Sequence, residues 1–310
     1  MRQIKVFSGS SHPALAEEIC RYLGVPLSPS VHRRFSNDNL YIQLRESVRE
    51  HDVYIVQTFS PPVQDHVFEL LMMVDAARDA SASRVTAVVP YYSYARSDKK
   101  DEPRISIAGR LVADLFKTAG VSRLLTMDLH SAQVHGFFSV PVDHLTAQPV
   151  LASHFGEREL ANTIVVTPDI GNAKRASQLA RKLGVPLAAG NKRRVSDDRV
   201  EIDDIVGNVA GKHAIVFDDE IANAGTICET TNLLRKRGVT GITVACTHGV
   251  FSGQAIKRLS TLDIDEIIAA NTVPIGPEKQ LVNLTTLSVA PIFGEAIRRI
   301  NLGESVSAIF

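Results

Sequence analysis

Three consecutive acids, Asp218, Asp219 and Glu220, follow the apolar run AIVF and lead into Ala222-Asn223-Ala224-Gly225-Thr226. Carboxylates at the end of an apolar segment are costly unless hydroxyls, amides or cations satisfy them. Small residues at a helix start can turn successive backbone N–H groups, together with the Thr226 hydroxyl, toward a phosphate. Carboxylates for sugar hydroxyls beside a phosphate cradle describe a sugar-phosphate site. The other reading is a plain helix N-terminus with acids placed favourably for the helix dipole. Asp128 and His130 stand two apart at the end of another apolar run, so strand alternation would turn both side chains to one face. Asp169 follows IVVTP, and NKRR at 191–194 sets Lys192 and Arg194 two apart. Those two could contact phosphates, Lys as a compact charge and Arg as a fork, or could form a solvated basic turn.

Two patterns fail on inspection. GNVAGKH near Lys212 resembles a phosphate loop, but Val206 stands where the first Gly is required and His213 replaces Ser or Thr. His130 and His135 lack an HExxH or CxxC context, which argues against zinc.

The elements that must position these residues are visible as an internal repeat. IKVFSGSSHPALAEEICRYLGVPL, from Ile4 to Leu27, lies ungapped over IVVTPDIGNAKRASQLARKLGVPL, from Ile164 to Leu187. Each copy reads as strand, turn, helix and then LGVPL. In the first helix Leu15, Ile19 and Leu23 form one apolar face at i, i+4, i+8. The same offset sets VYIVQTFS, from Val53, over HAIVFDDE, from His213. Further strands are expected at 84–90, 123–129, 241–247 and 265–272, each about a helix length apart. This alternation implies two doubly wound α/β domains, each a parallel sheet flanked by helices. The expected domains are 1–145 and 146–310, with a linker between about Pro141 and Leu160 and a last stretch of about twenty residues packing back on the first domain. In open parallel sheets ligands bind beyond the carboxyl ends of the strands. DDEIANAGT, PDIGNAK and THG all fall there.

A chain of 310 residues exceeds the usual single core, which also favours two domains. Lys+Arg and Asp+Glu both number 34, so no basic field exists to hold nucleic acid. Three cysteines without paired spacing suit a reducing, cytoplasmic setting, and no apolar run is long enough for a membrane span.

VFDDEIANAGT resembles the phosphoribosyl-binding loop of the type I phosphoribosyltransferase fold, and the whole chain is similar to the ribose-phosphate pyrophosphokinase family. The likeness runs through RFSNDNLYIQLRESVR, SPPVQDHVFELLMMVDA, VVPYYSYARSDKKDEPRISI, MDLHSAQVHGFF, PVDHL, THGVFSGQAI, LSVAPIFGEAIRRI and GESVSAIF. It implies synthesis of phosphoribosyl pyrophosphate and AMP from ATP and ribose 5-phosphate with Mg2+. By resemblance Asp218, Asp219, Ala222, Asn223, Ala224, Gly225 and Thr226 hold ribose 5-phosphate, and Lys192 and Arg194 are catalytic, with Arg194 also touching the sugar phosphate. Phe35, Asn37, Asn39, Arg96, Ser97, Asp101 and His130 surround ATP, and His130 and Asp169 contact the metal. Ser47, Arg49, Arg104, Ser305 and Phe310 match a region that binds phosphate and ADP as effectors. Some nucleotide contacts come from a neighbouring subunit in the family, which implies a homo-oligomer, a hexamer by resemblance.

The first half carries QTFSPPV at the place of the sugar loop, which suggests that duplication left one sugar site. Asn39 stands where the family has an acid, Ser97 where it has Gln, Ala222-Asn223 where it has Asp-Thr, and Asn172 where it has a second Gly. Two alternatives remain: a regulatory homologue that binds nucleotide within an oligomer, and a phosphoribosyltransferase. The duplicated halves and the KxR loop argue against the second.

Overall fold

A computed structural model describes residues 3–156, 158–194 and 200–309, with backbone alone at 192–194 and 200–203. In chain order the strands are β1 (Ile4–Ser8), β2 (Ser30–Arg34), β3 (Leu40–Leu44), β4 (Asp52–Val56), β5 (Arg84–Val89), β6 (Arg123–Met127) and β7 (Val142–Leu145). They continue as β8 (Thr163–Thr167), β9 (Leu187–Arg194), β10 (Val200–Val206), β11 (His213–Ile221), β12 (Gly241–Gly249), β13 (Glu266–Ala270) and β14 (Leu284–Leu287). The helices are α1 (Pro13–Leu23), α2 (Val63–Asp79), α3 (Ala108–Ala119), α4 (Gln148–Phe155), α5 (Ala173–Leu183), α6 (Gly225–Lys236), α7 (Ala255–Ser260) and α8 (Ala290–Leu302).

Two compact units result. One holds the residues up to Thr146 with Thr272–Pro274 and the chain from Ser288 onward, and the other holds Ala147–Asn271 and Ile275–Leu287. The first unit is built on the parallel sheet β1-β4-β5-β6-β7. The second is built on β10-β9-β8-β11-β12-β13-β14, parallel except where β10 pairs antiparallel with β9. The segment expected to be a linker carries regular structure: β7 closes the first sheet, and α4 packs against α5 in the second unit. Val142 packs on the first core, Leu145 is buried, and Leu151 and Phe155 join the second unit's core, so neither stretch stays extended in solvent.

The duplicated LGVPL segments end α1 and α5 in the same way. Gly24 and Gly184 both sit at φ 68°, a left-handed conformation that costs a side-chain-bearing residue and not Gly. Val25 N–H then reaches Cys20 O at 3.1 Å, and Val185 N–H reaches Ala180 O at 3.0 Å, satisfying the last carbonyls of each helix.

In the second sheet strand alternation sorts the core. Ile164, Val166, Val216, Ile242 and Val244 join Ile227, Leu234 and Leu259 of α6 and α7. Val165, Ile215, Phe217, Ala245 and Ile268 face Leu151, Phe155 and Leu179 of α4 and α5. Each such Val, Leu, Ile or Phe side chain, fully removed from water, contributes about 1.5–3 kcal/mol. The strands are thereby pinned, and their carboxyl ends become fixed points. Among the described residues no helix is long and apolar enough to cross a membrane.

Candidate functional site

In the second unit β11 runs beyond its apolar part and includes all three acids. Period-two alternation continues through them, so they cannot all face one way. Phe217 lies on the α4–α5 face, and Asp219, two residues on, meets Nη1 of Arg175 from α5 at 3.5 Å. Asp219 and Glu220 are buried, whereas Asp218 is half-buried and accepts the Asp219 N–H at 3.0 Å. Burial, followed by the charges of Asp218, Glu220 and Asp219, pushes the Cys246 thiol on neighbouring β12 well above its ordinary value. The strand end is therefore a strongly negative locus, and Cys246 is unreactive there.

Beyond Ile221 the chain turns into α6. Ala224 caps the helix at φ 62°, ψ 10°, a left-handed position that a non-Gly residue adopts at a cost. The turn folds Asn223 back so that Oδ1 accepts the Gly225 N–H at 3.0 Å. Arg258 of α7 donates through Nη1 to Asn223 O at 2.9 Å. An amide oxygen thus takes one of the N–H groups that an anion would use, at the positive end of a helix and beside a guanidinium. Ala222, Gly225 and Thr226 are half-buried, and Asn223 is exposed. Arg175 and Arg258 were missed by sequence reasoning. Arg258 lies 35 residues from Asn223, and no local pattern links them.

Asp169 follows β8. Its Oδ1 accepts the Gly171 N–H at 2.8 Å, and its backbone oxygen accepts the Thr167 hydroxyl at 3.1 Å. The carboxylate is half-buried and held in a set direction, and it is a hard oxygen donor of the kind Mg2+ prefers when substrate phosphates supply other ligands. Among the described residues no group of three His, Cys, Asp or Glu side chains is placed to hold a metal alone. The backbones of Lys192 and Arg194 lie in β9, but their side chains fall outside the described residues. The GNVAGKH segment runs from the end of β10 into β11 and not into a helix, so it has no helix N-terminus to offer a phosphate.

In the first unit, Phe35, Asn37 and Asn39 form the tip of the β2–β3 hairpin. Phe35 is 53% exposed, its N–H donates to Asn39 O at 2.9 Å, and its ring meets Tyr41 edge-on at 5.7 Å. Asn39 N–H donates to Asn37 Oδ1 at 3.3 Å, so these side chains shape the turn as well as facing solvent. Arg96 ends a short 3-10 turn and is exposed, as is Asp101, which pairs with Lys99 at 3.3 Å. Ser97 is half-buried, and its hydroxyl accepts the Ala108 N–H at 3.0 Å and donates to Ser106 O at 3.2 Å. It closes the loop between them.

Asp128 and His130 do not share a face. β6 stops at Met127, and Asp128 turns to φ 39°, which ends the alternation. Asp128 is 5% exposed, whereas His130 is exposed. Ser47, Arg49, Arg104 and Ser305 are exposed residues of the first unit, and Phe310 lies outside the described residues.

The duplicated loops differ sharply. After β1, the Ser10 N–H and hydroxyl donate to the Glu69 carboxylate, the hydroxyl at 2.7 Å, and the Ser11 N–H donates to Gln57 Oε1 at 3.1 Å. A side chain on Gly9 would lie 2.3 Å from Gln57 Oε1. Protein side chains fill this loop in the first unit.

A profile described as the N-terminal domain of ribose phosphate pyrophosphokinase matches residues 4–120, and one described as a phosphoribosyl synthetase-associated domain matches 199–310. A ribose-phosphate pyrophosphokinase of Deinococcus radiodurans is 53% identical over 98% of this chain and 97% of its own length. One from Synechococcus elongatus is 47% identical over 99% of this chain and 94% of its own. The crystal structure of phosphoribosylpyrophosphate synthetase from Mycobacterium smegmatis superposes with a TM-score of 0.92 at 40% identity, covering 97% of this chain and all of that one.

Proposed function

The chain belongs to the ribose-phosphate pyrophosphokinase family, transferases of nucleotide biosynthesis, and on that premise we propose how its residues carry the diphosphoryl group of ATP to ribose 5-phosphate. The anomeric hydroxyl attacks the β-phosphorus, the bond from that phosphorus to the α,β-bridging oxygen breaks, and AMP leaves as phosphoribosyl pyrophosphate forms. Such a transfer needs positioning and charge stabilisation more than covalent chemistry.

Backbone N–H groups of Ala222 to Thr226 bind the 5-phosphate at the start of α6. Asp218 accepts ribose hydroxyls, while Asp219 is braced by Arg175. Lys192 and Arg194 meet the charge that develops on the transferring group, and Arg194 also reaches the sugar phosphate. Phe35 stacks on the adenine and Asn37, Asn39, Arg96, Asp101 and His130 line the nucleotide, the hairpin tip serving a neighbouring copy in a homohexamer. Ser97, which also braces the loop to Ala108, lines the same nucleotide site. Asp169 and His130 would hold Mg2+, which when bound neutralises charge on the phosphates. Ser47, Arg49, Arg104, Ser305 and Phe310 would take phosphate or ADP as effectors. A cytoplasmic location belongs to the same reading and is supported by three free cysteines.

The observation that carries the residue assignments is the Gly225 N–H held by Asn223 Oδ1 beside Arg258, a cradle already shaped for an acceptor. Release of AMP from ATP, dependent on both ribose 5-phosphate and Mg2+, tests the reading. Normal ATP binding without AMP release at any sugar-phosphate concentration would favour the regulatory homologue instead. Consumption of phosphoribosyl pyrophosphate with a free base would favour a phosphoribosyltransferase.

A further inference from the structure

We propose that His32 is a positioning residue for nucleotide binding: its pairing with buried Glu69 fixes the pose of the β2–β3 hairpin and thereby the affinity of the ATP site that the hairpin tip serves. This rests on the reading of Phe35 as a nucleotide contact.

Among the described residues β2 and β3 pair only with each other, apart from the five-stranded sheet. An isolated two-stranded hairpin is marginal in water, so its pose must come from what it leans on. Apolar packing supplies part of this, since Ile42 and Leu44 of β3 lie against the core of the first unit. Under β2 the packing is open: a cavity of about 300 Å³ is lined by Ser10, His32, Arg34, Asp65, His66 and Glu69 among others. Polar contacts bridge that gap.

They form two parallel clips. His32 and Arg34, two apart on β2, share one face of the strand, and Asp65 and Glu69, four apart on α2, share one face of the helix. Arg34 reaches Asp65 at 2.5 Å, and His32 Nδ1 meets Glu69 Oε1. The two clips are unequal. Arg34 and Asp65 have side chains 40% and 43% exposed, and exposed ion pairs contribute little. His32 and Glu69 are 24% and 5% exposed, where a hydrogen-bonded charge is far stronger.

Glu69 is itself immobilised. Its carboxylate also accepts the Ser10 N–H and hydroxyl and the Gln57 side-chain amide. Burial raises its pKa, but hydrogen bonds from His32, Ser10 and Gln57 outweigh that and leave it below the ordinary value, so the carboxylate is charged near neutrality. On its other side His32 Nε2 lies 2.8 Å from the Ser30 hydroxyl, so the ring is gripped at both nitrogens. His32 thus ties the hairpin, three residues before Phe35, to a hub that joins the loop after β1, the end of β4 and the middle of α2.

Steady-state kinetics of the full chain test this with His32→Ala, His32→Asn and Phe35→Ala. His32→Ala should raise the ATP KM about tenfold, with kcat and the ribose 5-phosphate KM held within about twofold, because one charge-assisted contact is lost and the chemistry is untouched. His32→Asn, whose side-chain N–H falls near the place of Nδ1, should restore most of the affinity. If Phe35→Ala raises the ATP KM and His32→Ala does not, the anchor is refuted while the hairpin keeps its nucleotide role. If neither moves it, the nucleotide role of the hairpin fails and the anchor with it. A uniform fall in all kinetic constants together with Tm in His32→Ala would make the contact merely structural and would equally overturn the proposal.

Discussion

Asn223 Oδ1 accepts the Gly225 N–H at 3.0 Å, so the sugar-phosphate loop carries an internal competitor for one of its own donors. A phosphate that uses this N–H must displace the amide oxygen, at a cost of about 0.5–1.5 kcal/mol, or roughly two- to tenfold in affinity. Replacing Ala222 with Asp and Asn223 with Thr should therefore lower the ribose 5-phosphate KM by about that factor and leave the ATP KM nearly unchanged. An unchanged sugar-phosphate KM in the double variant would show that the Asn223 contact is not broken on binding.

Lys192 is proposed to act where charge develops in the transition state, so its loss should appear in kcat. Removing such an electrostatic contact typically costs about 100- to 1000-fold. Lys192→Ala should lower kcat by that order, while ribose 5-phosphate binding measured by calorimetry weakens much less. Equal losses in both would make Lys192 a ground-state contact.

Glu295 on α8 predicts a stability change at acid pH. Hydrogen bonds from Arg298, opposed by slight burial and reinforced by Arg299 and Tyr22, lower its pKa from 4.5 to about 2. A depressed carboxylate stabilises the fold above its unfolded pKa, and that contribution is lost as pH falls through the folded value. The Tm difference between the unaltered chain and Glu295→Gln should thus be steady near neutrality and shrink from about pH 4.5 toward pH 2. A difference that stays constant to pH 2 would remove Glu295 from the acid response.

Asp52, fully buried in β4, gathers three partners. Arg84 donates through Nε at 3.1 Å, the Tyr54 hydroxyl lies at 2.9 Å, and Asn301 Nδ2 of α8 lies at 3.0 Å. Asp52→Ala leaves the Arg84 cation without its carboxylate and the buried Tyr54 hydroxyl with only the longer contact to Ile297 O at 3.5 Å. Because Arg84 is partly open to water, the expected loss is near the lower end of the range for broken buried pairs, about 3 kcal/mol. Asn301→Ala should cost only about 1 kcal/mol, since one neutral donor is removed. Calorimetry of both variants decides the point, and equal losses would mean that the ion pair contributes nothing beyond the α8 contact.

Several features were legible because they are local. The duplicated LGVPL places Gly where each helix must turn left-handed, and the continuous apolar runs AIVF, IVV and TVAC identify strands buried on both faces. A parallel sheet follows from such units, and with it the rule that loops at the carboxyl ends carry the chemistry. The hairpin of β2 and β3 was not foreseen, since its residues are half-exposed and its alternation is polar. Likewise Asp128 looked like a continuation of β6 because its neighbours are apolar, and only its positive φ shows where the strand ends. The pairings of Asp219 with Arg175, Asn223 with Arg258 and Glu69 with His32 and Ser10 required the tertiary structure. Each joins elements far apart in sequence, where no periodicity records the contact, and each is set by which side chain a packed helix or strand brings within hydrogen-bond range. Chain pattern determined the layers and the loops. Packing decided that Arg175 meets Asp219, which amide of the phosphate loop is already taken, and why the loop after β1 is filled from within.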